Sequence, residues 1–177
     1  MQDLTPAAAT VLHGASVPVL AHYLRRLDHL LGVVAADERC DELLGRRLAP
    51  DMFNLAQQAR IATGFALRIV APLTGRGGPE LEADDGIAML RANAVRALAH
   101  VEALRPADFA AAPAAVETIA GAARLTFAPL DFVRLYALPN FFFHLAMVYA
   151  LLRAAGLAVG KPDFDGWHAY ATGFSFV

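Results

Sequence analysis

Only one cysteine, Cys40, occurs in the 177 residues, so no disulfide can close within the chain. Lysine is almost missing too. Lys161 is the single lysine among the 15 Lys+Arg, and a net charge of −2 leaves no basic excess for nucleic acid or an anionic membrane surface. Serine is confined to Ser16 and Ser175, and neither stands in a Gly-x-Ser-x-Gly elbow, which argues against a hydrolase triad. The first residues lack a basic-then-apolar leader, so a cytoplasmic setting is expected. No repeat or low-complexity stretch appears. What fills the chain is apolar: 57% hydrophobic and 18% charged residues, against typical shares near ~45–50% and ~25%. Disorder is excluded, and a large buried surface is expected, part of it between subunits. The length suits one domain over 1–177, with 167–177 as a C-terminal extension.

Residues 15–36 place Val17, Leu20, Leu24, Leu27, Leu31 and Val34 in steps of three and four, the stripe of a first bundle helix. His22, Arg25, Arg26 and His29 form its solvated face, and Pro18 suits its first turn. A second helix opens near Pro50, with Asp51 at the positive end of its dipole. It buries Met52, Leu55, Ala59, Ala62, Ala66 and Ile69 and ends at Pro72. The glycines of 74–79 follow a helix and lack a Lys-Ser/Thr ending, so they are no phosphate cradle. A third helix over 85–104 buries Ile87, Leu90, Ala94, Leu98, Val101 and Leu104, with Asn93, Arg96 and His100 on its polar side. Residues 116–127 read as a small β-hairpin. A fourth helix opens at Pro129, kinks at Pro139, is apolar on nearly every side from Phe141 to Leu152 and stops at Gly156. The stretch 135–152 approaches the ~17–25 residues of a membrane span, but Pro139, Asn140 and His144 lie inside it and Asp131, Arg134 and Arg153 flank it. It reads as a core or dimer helix. The tail is expected to be extended and docked by Phe164, Trp167, Tyr170, Phe174 and Phe176.

Six histidines raise the question of a metal. His22 and His29 are about 10 Å apart along a helix axis, too far to share an ion without other ligands. His100 reads as solvated, His13 as an inward, hydrogen-bonded core residue, and His168 lies in the tail. Cys40 sits among acids that disfavour its thiolate. His144 is the sharpest candidate: Asn140 and His144 project from one face of the fourth helix, and Gln58 is an inward polar group of the second. Together they could form a ligand pocket or a structural hydrogen-bond network. One imidazole and two neutral amides are poor ligands for zinc or nickel.

Two stretches carry a family resemblance: RLAPDM over 47–52 running into Ile61, Ala62 and Thr63, and ALPNFFFH over 137–144 running to Leu152 and Arg153, then Gly160, Lys161, Asp163 and Phe164. They resemble a bacterial family of unknown function grouped with the DinB/YfiT-like four-helix-bundle metalloenzymes, over residues 13–166. The resemblance implies an all-α, DinB-like four-helix bundle in up-down-down-up order. Residues 73–83 can reach about 36 Å, just enough to cross a helix of about 30 Å. It also implies a divalent metal, nickel or zinc, held by a histidine of helix two and a His-x-x-x-His pair of helix four. Here His144 alone matches that pair, Asn140 replaces its first histidine, and Gln58 or Gln57 falls near the helix-two ligand. The expectation is a small-ligand-binding or interaction bundle with a degenerate metal site and no cofactor, forming a homodimer through its apolar fourth helix. The alternative implied by the wider superfamily is a transferase or isomerase dependent on a divalent metal at His144 or on a low-molecular-weight thiol.

Overall fold

In the computed structural model, which describes residues 5–171 and 174, helices dominate and a single two-stranded hairpin interrupts them. The first helix, α1 (Pro6–Ala36), starts well before residue 15 because Thr5 and Pro6 are the stronger start signal. The Thr5 hydroxyl accepts the Ala8 N–H at 3.3 Å. Pro18 therefore lies inside the helix rather than in its first turn, and its missing N–H leaves the Gly14 carbonyl without a helical donor. A short helix that the periodicity does not reveal, α2 (Cys40–Gly45), buries Leu43 and Leu44.

The next helix, α3 (Leu55–Thr74), opens at Asn54 and not near Pro50. Asn54 Oδ1 accepts the Gln57 N–H at 2.8 Å while Gln57 Oε1 accepts the Asn54 N–H at 3.0 Å, a reciprocal cap that outweighs proline's preference for a first turn. The helix continues through Pro72 and ends at Gly75, whose φ of 64° is the left-handed cap glycine permits. The following loop runs back along α3. Gly78 lies so close to Leu67 that a Cβ there would meet its side chain at 3.2 Å, and Asp85 pairs with Arg60 at 3.0 Å. That return sets α4 (Ile87–Ala103) parallel to α3. Asn93, expected on the polar side of this helix, is 2% exposed and is held by the Glu82 backbone, donating to its carbonyl at 2.9 Å. The crossover loop covers it.

After a 3-10 segment (Pro106–Ala111) that buries Phe109, β1 (Val116–Ala120) and β2 (Ala123–Phe127) pair antiparallel from Val116↔Phe127 to Ala120↔Ala123. One continuous helical run follows: α5 (Pro129–Asp131), a π segment (Phe132–Ala137) and α6 (Leu138–Ala154). The irregularity expected at Pro139 lies just ahead of it, where the wider turn makes room for the proline ring. Antiparallel pairing of α1 with α4 is marked by His13 Nε2 at 3.3 Å from the Leu104 carbonyl at one end and Arg91 at 2.8 Å from Asp28 further along. Antiparallel pairing of α3 with α6 is marked by Gln58 against His144 and Phe65 against Tyr136. The order is up-down-down-up. The runs Pro6–Ala36 and Pro129–Ala154 are long and apolar enough to cross a membrane, and in the bundle both supply the core.

The tail is not simply extended. It forms a helical turn, α7 (Lys161–Asp165), capped by Asp163 on the Gly160 N–H at 2.7 Å. It covers the face of α1 expected to be solvated: His22 Nε2 is 2.6 Å from the Asp165 carbonyl, and His29 is 2.8 Å from the Asp163 carboxylate. Phe164 docks between Tyr23 and Tyr149, and Trp167 stacks on His22 while remaining 76% exposed. Tyr170 stacks on His168 and on Phe174. Phe176 and Ser175 lie outside the described residues.

Candidate ligand site

His144 sits on α6 facing α3, 8% exposed, and Gln58 reaches it from the first turns of α3, 1% exposed. The imidazole Nδ1 and Gln58 Oε1 are 2.7 Å apart. Gln58 Nε2 donates to the Phe53 carbonyl at 3.4 Å, which turns the amide oxygen toward the ring and makes Nδ1 the protonated nitrogen. Nε2 is left with its lone pair and makes no hydrogen bond to a described residue. Three aromatic rings surround the imidazole: Phe65 stacked at 5.7 Å, Phe143 edge-on at 5.2 Å and Phe53 tilted at 6.4 Å. Burial in this apolar setting lowers the His144 pKa, and the positive charge of Arg68 lowers it further. The ring is a neutral acceptor on one side and a donor on the other.

Asn140 does not join them. Its Nδ2 donates to the Tyr136 carbonyl one turn back at 2.7 Å, capping the π segment instead of facing His144. Gln57 is spent on the Asn54 cap. The donor set available to an ion is thus one imidazole and one amide oxygen, and among the described residues no three His, Cys, Asp or Glu side chains converge. That set does not fit a zinc or nickel centre. The other histidines stand elsewhere: His168 bonds the Asp165 carboxylate, and His100, expected in water, is half-buried with an Nε2 that has no partner among the described residues. Burial, then the neighbouring Asp41 and Asp37, raises the Cys40 thiol, which keeps it unreactive.

The residue that sequence reasoning missed is Arg68. Its guanidinium carbon lies 3.9 Å above the Phe65 ring. Arg60 on the same helix has an acid partner, but Arg68 makes no ion pair or hydrogen bond to any described residue, and burial lowers its pKa. Beside it a cleft of about 40 Å³ opens between α3, the π segment and β1, walled by Phe65, Arg68, Thr118, Ile119, Phe132 and Tyr136. The Tyr136 hydroxyl is 3.5 Å from the Ile119 carbonyl and ties the hairpin over this cleft. The signal was present in the spacing: positions 58, 65 and 68 share a helical face. A lone arginine on such a face reads as a solvated charge, and Arg68 is exposed, at the mouth of the cleft beside the hairpin.

The family model described as Domain of unknown function (DUF1993) matches residues 12–165. A crystal structure of a DinB family member protein from Shewanella denitrificans is similar to this chain, with a TM-score of 0.79, 29% sequence identity, and 95% of this chain and 99% of that chain covered. No curated protein matches the sequence.

Proposed function

The chain belongs to the DUF1993 family of unknown function, and from that premise we propose that it is a small-ligand-binding bundle whose polar anchor is the neutral His144–Gln58 pair. The observation that carries this reading is the 2.7 Å bond between Nδ1 and Gln58, which fixes the tautomer and leaves Nε2 as an acceptor inside a ring of phenylalanines. A buried, oriented acceptor with aromatic walls selects a small molecule carrying an O–H or N–H donor on an apolar body. Reaction chemistry has less support: one neutral imidazole lacks the paired acid, nucleophile or metal cluster that most mechanisms require.

Phenol, a hydroxyl donor on an aromatic ring, is the simplest probe. Titrated into the full chain, it should shift the Gln58 side-chain amide and neighbouring backbone amide resonances saturably, and His144→Phe should abolish those shifts while the protein stays folded. Absence of any response to phenol, or stoichiometric zinc or nickel in protein purified without chelator, contradicts the proposal.

We also propose a homodimer in the cytoplasm. Ile119, Leu135 and Phe143 are 67%, 69% and 52% exposed, apolar surface that a second copy would cover.

A further inference from the structure

We propose that the cleft beside Arg68 is an anion subsite that takes the carboxylate of a small organic monoacid. The inference deepens the ligand-binding reading and rests on it in treating this cleft and the His144 box, which share Phe65, as two ends of one site.

The guanidinium carbon lies over the Phe65 ring at 3.9 Å, a cation–π contact that uses none of its N–H donors as hydrogen bonds to oxygen. No described residue accepts from those donors. Arginines of neighbouring positions behave differently: Arg60 pairs with Asp85 at 3.0 Å and Arg76 with Asp108 at 2.6 Å. A guanidinium at the mouth of a cleft with no carboxylate partner can receive a planar oxyanion through two parallel N–H bonds.

The walls narrow the class. Arg68 is the one charged side chain among those lining the cleft, so a single negative charge is neutralised, whereas a phosphate dianion would keep one charge without a partner. Thr118 also lines the cleft, and its hydroxyl, which has no hydrogen-bond partner among the described residues, can donate to the second carboxylate oxygen. The cleft is small, about 40 Å³, and takes a headgroup rather than a whole ligand. The rest of the ligand must lie along Phe65 and Tyr136, toward the phenylalanines around His144.

Benzoate, its neutral isostere benzamide and inorganic phosphate separate these features when titrated into the full chain and followed by amide and arginine Nε resonances. Benzoate should bind saturably, shifting Phe65, Arg68, Thr118 and Tyr136, while benzamide and phosphate should not compete with it. Arg68→Gln should weaken benzoate roughly tenfold to a hundredfold with the melting temperature unchanged, and Arg68→Lys should restore part of the loss. Benzoate binding that Arg68→Gln leaves intact, equal binding of benzamide, displacement by phosphate, or no saturable response overturns the assignment. A benzoate response that persists where phenol gives none supports the Arg68 subsite and overturns only the His144 anchor. A phenol response without a benzoate response does the reverse.

Discussion

The fate of one imidazole shows how an apolar bundle tolerates a polar side chain in its interior. His144 is nearly closed off, yet its Nδ1–H has an acceptor and that acceptor's amide has its own backbone partner, so the chain of hydrogen bonds runs from the ring to Phe53 and leaves only the Nε2 lone pair unused. Removing the ring strands Gln58. His144→Ala should lower stability by about 2–4 kcal/mol, lost packing plus an unsatisfied amide, read as a fall in the denaturation midpoint with unchanged slope. The pH response has a definite sign. The folded pKa of His144 lies below its ordinary 6.5, so the unfolded chain takes up that proton first. Its contribution is whole above pH 6.5 and is lost as pH falls through that value toward the lower folded pKa. Between about pH 7.5 and about pH 5.5 the wild type should lose more melting temperature than His144→Phe; equal losses would disprove the depressed pKa. At this scale the sequence made Gln58 and His144 legible, because each is a polar residue on an apolar helical face. Asn140 misled, since its spacing to His144 is right but its side chain bonds the carbonyl four residues earlier. A side-chain rotamer is invisible to periodicity.

Elements were legible in their middles and misread at their ends. The stripes of Leu20, Leu24, Leu27 and Leu31 and of Leu55, Ala59, Ala62 and Ala66 are buried as their spacing requires. Prolines caused the errors. Pro18 and Pro50 both look like first-turn residues, but side-chain caps at Thr5 and Asn54 define the true starts, and the length of α1 and α3 compensates for Pro18 and Pro72 inside them. Asn54→Ala removes both halves of the reciprocal cap and should cost about 1 kcal/mol, measured by chemical denaturation. Pro18→Ala should gain about 1–3 kcal/mol, since it restores a donor to the Gly14 carbonyl. A loss of stability there would show that α1 is built around its proline.

For the whole molecule, the parallel placement of α3 and α4 depends on a loop that doubles back and is pinned at Arg60–Asp85 and at Asn93–Glu82. The reach of that loop was legible as feasible, while its contacts were not, because acids at 80–85 read equally well as helix-start charges. The C-terminal turn was hidden for a related reason: His22 and His29 look like solvent-facing residues until Asp163 and Asp165 return to meet them. Burial pushes the Asp163 carboxyl up, but hydrogen bonds from His29 and the Gly160 N–H outweigh it and hold the pKa low. Asp163→Ala should therefore free α7, raising amide exchange across 161–165 while exchange in α3 and α6 is unchanged. Sedimentation at micromolar concentration should give a dimer of the 18.9 kDa chain, and a monomer would contradict the proposed assembly.

A neutral, amide-oriented imidazole lies in the α3–α6 seam. Nitrogen-15 NMR of the His144 ring at neutral pH reads this state directly. A protonated Nδ1 with a lone-pair Nε2 is the predicted result, whereas an imidazolium, the opposite tautomer or a metal-shifted nitrogen contradicts it.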